Sequence, residues 1–205
     1  MRIHLPSNQA RIEKTHKVAN ARERVFMAGE EERLFAAMSN PNLVNISKLA
    51  LETAMRLGEL LAIEWRDIDL KHRTLHIPKT KTDKTRTIPL SSGAIAVLNS
   101  MPRPMRGGRV FDCWAAGDSF ENAYKRARNR ARKKYEEECT TKGAAPDPRM
   151  LVDLRFHDFR HIATSRLAKS LPNVIELSMV TGHSDLKMLK RYYHVTAAEL
   201  AGRLS

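Results

Sequence analysis

The sequence lacks the features of several protein classes. Its two cysteines, Cys113 and Cys139, do not have the spacing of a metal site, so neither zinc nor a disulfide framework is expected. No apolar run approaches the ~20 residues of a membrane span, and the N-terminal residues have no apolar core of a signal peptide. We therefore expect a cytoplasmic protein that does not contact a membrane.

Acidic residues are scarce relative to basic ones. The chain has 23 Asp and Glu against 36 Lys and Arg, which gives a formal net charge of +13. Such a charge favours a polyanionic partner, because each neutralised phosphate releases counterions. Charge alone leaves open DNA binding, RNA binding and a solvated basic surface. Hydrophobic residues make up 42% of the chain, which excludes a disordered basic tail.

Hydrophobic periodicity predicts a mainly α-helical domain with a small three-stranded antiparallel β-sheet, an α+β fold. Residues 1–24 are polar and aperiodic and are predicted to be a linker or N-terminal arm, while residues 25–205 form one domain. Gly58 is predicted to break a helical run. The predicted strands are WRDIDL, RTLHIP and TRTIPL, and the last two flank a lysine-rich hairpin.

Six residues could act together on a phosphate group. Each has an ordinary structural explanation when taken alone, such as a solvated side chain, a helix cap or a packed ring. Their spacing is informative, because two of them lie three apart on one predicted helical face and the last two are nine apart. The six are Arg56, Lys81, His157, Arg160, His183 and Tyr192.

These residues lie in motifs that resemble one family. TAMRLGEL, the lysine hairpin, HDFRH, TGH and RYYH occur in the order and approximate spacing of the tyrosine recombinase (phage integrase) family. The resemblance covers roughly residues 25–200 and implies the fold of that family's catalytic domain. It also implies DNA cleavage and rejoining through a covalent 3′-phosphotyrosyl intermediate, which needs no metal or other cofactor.

The resemblance assigns a role to each residue on the nucleophile and phosphate side. Tyr192 is the expected nucleophile, and a phenol with its ordinary pKa of about 10 needs help to lose its proton. His157 is expected to assist that proton transfer. Arg56 and Arg160 are expected to clamp the non-bridging phosphate oxygens, and His183 to donate a hydrogen bond to the phosphate.

Two further residues support the reaction by the same resemblance. Lys81 is expected to protonate the leaving 5′ oxygen, with Lys79 and Lys84 as close competitors. Glu59 is expected to orient catalytic side chains. Tyr193 is the rival nucleophile, but the family pattern of Tyr, any residue, His favours Tyr192 through His194. Contacts with DNA phosphates are expected at Lys79, Lys84, Arg86, Lys125 and Arg126.

The expected partner is double-stranded DNA, bound by a homotetramer in the full recombinase and by a monomer in this fragment. Relatives carry an N-terminal DNA-binding domain that does not fit ahead of residue 25, so we expect an excised domain or a natural fragment. Three alternatives remain open at this stage. They are a non-catalytic DNA-binding remnant of the same fold, a type IB topoisomerase and a basic RNA-binding module.

Overall fold

The computed structural model describes residues 24–78, 85–114, 117–193 and 196–204. It confirms a mainly helical fold with a small antiparallel sheet. The helices are α1 Glu30–Ala36, α2 Pro41–Thr53, α3 Leu57–Ala62, α4 Ser92–Asn99, α5 Gly117–Thr141, α6 Phe156–Ser170, α7 Val174–Thr181 and α8 Ala197–Arg203. The strands are β1 Ile68–Asp69, β2 Thr74–Ile77 and β3 Arg86–Pro89, and short 3₁₀ turns cover Trp65–Asp67, Leu186–Met188 and Lys190–Tyr192.

The sheet has the order β1-β2-β3 with antiparallel neighbours. Leu75 of β2 pairs with Ile88 of β3, and both side chains are fully buried. Since side chains alternate between the two faces of a strand, Arg86 lies on the same face as Ile88. The predicted hairpin between β2 and β3 is present, and its lysine-rich turn at residues 79–84 lies outside the described residues.

The predicted helix break at Gly58 is wrong, because Gly58 lies inside α3. The chain turns earlier, at Ala54, which has a left-handed φ of 54°. The Thr53 hydroxyl donates to the Leu49 carbonyl at 2.6 Å and accepts from the Met55 backbone at 3.4 Å. Such local bonds compete with helix continuation, and glycine is tolerated inside a helix at modest cost.

Helix α6 runs through the core of the domain. Phe156 and Phe159 on one of its faces meet Phe120 and Tyr124 of α5, with ring centroids 4.6 Å apart for Phe120–Phe156 and 5.8 Å apart for Tyr124–Phe159. These edge-to-face contacts stabilise the helix and fix its rotation about its axis. The neighbouring face of α6, which begins with His157, is thereby held in one orientation.

The long stretch before α6 is packed against α1 and α5. Arg132 of α5 donates to the backbone carbonyls of Asp147 and Met150, at 2.6 and 2.9 Å. The backbone N–H of Leu151 donates to the fully buried Glu30 carboxylate at 2.7 Å. These bonds satisfy backbone groups that irregular chain would otherwise leave without partners, and they fix where α6 begins.

A second, smaller cluster of apolar side chains holds the C-terminal part of the chain. Ala168, Leu177 and Leu189 are buried there, and Tyr192 and Tyr193 pack against them. We call this group the C-terminal cluster. It places the 3₁₀ turn that ends at Tyr192 next to α6 and α7. In the described ranges, no helix has the length and apolar character that crossing a membrane requires.

Candidate active site

The loop between α2 and α3 presents Arg56 next to a buried carboxylate. Arg56 precedes the first residue of α3, and its backbone N–H donates to Glu59 Oε2 at 2.9 Å. Its guanidinium lies 3.4 Å from Glu59 Oε1, and 34% of its side chain is exposed. The carboxylate therefore contacts both the backbone and the side chain of Arg56 at the start of the helix; an orienting role for Glu59 in catalysis stays a prediction.

Arg86 holds Glu59 from the other side. Its guanidinium donates to both carboxylate oxygens, and its side chain is only 12% exposed. Burial would raise the pKa of Glu59, but the hydrogen bonds from Arg86 and from the Arg56 backbone outweigh it and lower the pKa below its usual value. Arg86 is thus directed inward. Its basic segment led us to expect a contact with DNA phosphates, but its guanidinium binds Glu59 instead.

Arg160 joins two distant segments of the chain. It is 4% exposed, and its guanidinium donates to the carbonyls of Ala54 at 2.6 Å and Thr181 at 2.7 Å. Ala54 lies two residues before Arg56, and Thr181 lies two residues before His183. A guanidinium is planar with five N–H donors in a fixed fork. These two bonds therefore set its plane and bring the loops of Arg56 and His183 to α6.

His157 shares a small pocket with both arginines. The pocket has a volume of about 90 Å³ and is lined by Arg56, His157, Arg160 and Glu121, among others. His157 is exposed, but desolvation by the surrounding protein lowers its pKa, and the charges of Arg160 and Arg56 add to the shift. Its imidazole is therefore neutral at neutral pH, beside two permanent cations.

His183 follows the left-handed Gly182 that ends α7. Burial lowers the pKa of His183 to about 4, and the charges of Arg160 and Arg56 add to the shift. The Thr181 hydroxyl donates to the Leu177 carbonyl at 2.8 Å, so its oxygen accepts from His183 Nδ1, 2.7 Å away. The neutral ring then carries its proton on Nδ1, and Nε2 becomes a donor only when an anion raises the pKa.

Tyr192 reaches this cluster through a residue to which sequence analysis gave no role. Its hydroxyl lies 2.8 Å from His161 Nδ1. His161 follows Arg160 directly and lies one helical turn after His157, so the spacing of the two histidines was a signal that could have identified it. The rival Tyr193 donates its hydroxyl to the Leu171 carbonyl at 2.7 Å and lies in the C-terminal cluster.

The remaining predicted residues fall into two groups. Lys79, Lys81, Lys84 and His194 lie outside the described residues. Lys125 and Arg126 are exposed on α5, as a contact with DNA requires. Other arginines of that basic helix bind backbone carbonyls: the partly buried Arg128 donates to Leu154 and Arg132 to Asp147 and Met150, and the exposed Arg130 donates to Ala37 at the surface.

Among the described residues, the structure therefore brings four stretches of chain together into one positively charged cluster. The side chains that meet there, directly or through their charges, are Arg56, His157, Arg160, His161, His183, Arg191 and Tyr192. Cations beside neutral imidazoles suit an anion of the size of a phosphate group, because such fixed donors gain strength as negative charge develops on it. The phenol of Tyr192, in contact with His161, is of a type that can act as a nucleophile.

The comparisons with known proteins agree on one family. The model of the phage integrase family matches residues 24–199. The chain is similar to the shufflon-specific DNA recombinase of Escherichia coli, with 39% identity over 97% of this chain and 47% of the relative. It is also similar to the integrase of Salmonella phage P22, with 25% identity over 94% of this chain and 49% of the relative. The chain thus spans about half the length of these relatives.

Solved structures show the same fold. The catalytic domain of bacteriophage HP1 integrase superimposes with a TM-score of 0.59 and 24% identity, covering 89% of this chain and 94% of that domain. The Tn1549 transposon integrase in complex with circular intermediate DNA gives a TM-score of 0.60 and 20% identity, covering 88% of this chain and 65% of that one.

Proposed function

Because this chain belongs to the phage integrase family of tyrosine recombinases, we propose that it cuts and rejoins double-stranded DNA through a 3′-phosphotyrosyl intermediate. The observation that carries the proposal is the double anchorage of Arg160, which brings the loops of Arg56 and His183 to one point. The proposed role in the cell is integration or excision of a phage or another mobile element.

The proposed site holds the scissile phosphate between Arg56, Arg160 and His183. Guanidinium groups suit the non-bridging oxygens, because their forked donors remain charged at every physiological pH. His183 donates from Nε2 once the phosphate anion offsets the cations that lower its pKa. His157, in the pocket with the two arginines, is placed on the nucleophile side by the family resemblance.

In the proposed reaction, the oxygen of Tyr192 bonds to phosphorus and the bond from phosphorus to the 5′ oxygen breaks. Lys81 supplies the proton that the leaving 5′ hydroxyl takes. The 5′ hydroxyl of a second strand then attacks the phosphotyrosine and releases Tyr192. The number of phosphoester bonds is conserved, so the exchange needs no nucleotide cofactor. In this proposal Arg56, Arg160 and His183 supply the charge stabilisation of the phosphate that a metal ion supplies in other enzymes.

The proposed partner is double-stranded DNA, in keeping with the net charge of +13 and with the DNA in the Tn1549 integrase complex. Lys125 and Arg126 are proposed to contact its phosphates, since both are exposed on one helix. We expect a tetramer on DNA for the full recombinase and a monomer for this chain alone, with residues 25–205 as the catalytic domain.

A covalent trap tests the proposal on all candidate target sites at once. A randomised duplex library carries a nick a few nucleotides to the 3′ side of each possible cleavage position. The short fragment that leaves with the 5′ hydroxyl then diffuses away, and rejoining stops. The wild-type chain is expected to form SDS-resistant protein–DNA adducts, and sequencing of the trapped DNA yields the site. Tyr192→Phe is expected to form none. Absence of adducts with the wild type would indicate a non-catalytic remnant, and relaxation of supercoiled DNA without a specific site would indicate a topoisomerase.

A further inference from the structure

The hydroxyl of Tyr192 already has a hydrogen-bond partner before DNA is bound. His161 Nδ1 lies 2.8 Å from it, within the ordinary range of a strong bond to a hydroxyl. Both side chains are partly buried, and Tyr192 is held there by the C-terminal cluster. The contact joins the residue after Arg160 to the expected nucleophile.

The direction of this bond follows from its surroundings. Arg191 Nη2 also approaches His161 Nδ1, at 3.5 Å. A guanidinium can only donate, so Nδ1 carries the lone pair and the Tyr192 hydroxyl donates to it. Burial and the charges of His157 and Arg191 lower the pKa of His161, which keeps the ring neutral and able to accept a proton.

His157 has a different setting, although the family resemblance gave it the task of assisting the nucleophile. Its ring meets that of His161 edge-on, with centroids 5.3 Å apart, and it lines the pocket of Arg56 and Arg160. Both His157 and Tyr192 are described residues, and no hydrogen bond joins them. The imidazole in contact with the reacting oxygen is therefore the second histidine of HDFRH.

We propose that His161 is the catalytic base that receives the proton of Tyr192 during DNA cleavage. As the Tyr192 oxygen bonds to phosphorus, its proton moves to His161 Nδ1 and the 5′ oxygen leaves with a proton from Lys81. The reverse step returns the proton from His161 to the tyrosine. The proposal rests on the proposed function, because it assigns a step of that same reaction.

Charges around the pair favour this transfer once phosphate is present. The Arg191 guanidinium lies 5.3 Å from the centroid of the Tyr192 ring, where it steadies the ring and faces the negative charge that develops on the phenol. The new imidazolium would stand near His157, Arg160 and Arg191, whose charges oppose its formation, while Asp158 favours it. The dianionic transition state of the phosphate offsets that opposition.

Two variants separate proton transfer from mere positioning. His161→Asn retains an oxygen near the place of Nδ1 that can accept the hydrogen bond but cannot take the proton, and His161→Ala removes both. Each is compared with the wild type by the rate of adduct formation on a suicide duplex obtained from the library trap. We expect both variants to slow cleavage by about 10²–10⁴-fold, the usual contribution of a general base, while DNA affinity and the free energy of unfolding stay near the wild-type values.

A duplex with sulfur in place of the bridging 5′ oxygen locates the defect within the reaction. A thiolate leaves without a proton because thiols are far stronger acids than alcohols, so the sulfur duplex should restore cleavage by Lys81→Ala. It should not restore His161→Asn, whose missing step is on the nucleophile side. Between pH 7 and 9 the rate of His161→Asn should also rise about tenfold per pH unit, because hydroxide must then remove the proton that the imidazole accepts in the wild type, while the wild-type rate stays level.

Three results would overturn the proposal. They are cleavage by His161→Asn within threefold of the wild type, restoration of that variant by the sulfur duplex, and a level pH profile for it between pH 7 and 9. If His161→Asn does not fold, His161→Gln is measured against the same three criteria. Failure of the proposed function itself looks different, because then the wild-type chain forms no adduct on either duplex.

Discussion

Arg86 donates one hydrogen bond to each carboxylate oxygen of Glu59, at 2.7 and 2.9 Å. The same guanidinium donates from Nε to the Val180 carbonyl at 3.4 Å. It therefore links β3, α3 and the end of α7, the elements that carry Arg56 and His183. Arg86 thereby holds the segments next to Arg56 and His183, the proposed phosphate-binding residues, in a fixed relation.

Removal of Arg86 should destabilise the domain, because Glu59 would remain charged and 2% exposed without its main partner. Loss of one partner of a buried pair costs about 3–5 kcal/mol. The measurement is the free energy of unfolding of Arg86→Ala in urea. Arg66→Ala is the matched control. The side chain of Arg66 is 79% exposed in its ion pair with Glu64, and exposed ion pairs contribute about 1 kcal/mol or less to stability. Equal losses in the two variants would contradict the account.

Gly182 is required by the same network. Its φ is +72°, and a Cβ added there would lie 2.7 Å from Arg86 Cζ. Gly182→Ala should therefore lower the free energy of unfolding by about 1–3 kcal/mol from backbone strain alone. It should also reduce adduct formation, because both Arg86 and the adjacent His183 must shift.

Gly58→Ala provides the control for this strain. Gly58 lies inside α3 and has open space around its Cα, so alanine should be neutral or should stabilise the helix by up to about 1 kcal/mol. A Gly182→Ala protein as stable as Gly58→Ala would show that the contact with Arg86 does not constrain the loop.

The meeting of Arg56, His157, Arg160 and His183 was predicted because their motifs resemble those of one family in order and spacing. It could not supply the mechanism of that meeting, since the partners of Arg160 are the backbone carbonyls of Ala54 and Thr181. Any residue type presents a carbonyl, so no side-chain pattern marks these two positions.

Other parts were open to prediction but were missed. Arg86 lies two positions before the buried Ile88, and the alternation of a strand places both on the inward face. Its basic neighbours led instead to a prediction of DNA contact. In α5, Arg128 and Arg132 are partly buried and bind backbone carbonyls, while Lys125 and Arg126 are exposed. Helical periodicity could not distinguish arginines that bind the protein from those free to contact DNA. The distinction depends on where backbone carbonyls of distant loops lie, and no side-chain pattern in α5 indicates that.

The histidines of the site should make stability depend on pH. His157, His161 and His183 have lowered pKa values in the folded state. The unfolded chain therefore binds more protons than the folded chain over a pH window that runs from about 6.5, the ordinary pKa of histidine, down to about 4, the pKa of His183. The free energy of unfolding should therefore rise as pH increases through this window. His183→Asn should show a smaller rise between pH 4.5 and 7.5 in urea titrations, and an unchanged slope would argue against a partly buried, neutral His183.

Exposed and inward-directed cations of α5 should have opposite effects. Lys125→Ala and Arg126→Ala should weaken DNA binding and reduce the slope of log K against log salt by about 0.9 for each phosphate that is no longer neutralised, with stability unchanged. Arg132→Ala should lower the free energy of unfolding by about 1.5–3 kcal/mol through its hydrogen bonds to the carbonyls of Asp147 and Met150. Salt-titrated binding and urea unfolding of all three variants provide the test. A stability loss in Lys125→Ala with no change in salt slope would count against a DNA contact on this face.

Identification of the tyrosine that becomes linked to DNA tests the central claim most directly. Adducts from the suicide duplex are digested with protease and nuclease, and the peptide that retains a nucleotide is sequenced by mass spectrometry. The account predicts the modification on Tyr192, whose hydroxyl contacts His161, and its full retention in Tyr193→Phe, which loses only the bond to the Leu171 carbonyl. A nucleotide on Tyr193, or on any residue away from the cluster that includes Arg56, Arg160 and His183, would contradict it.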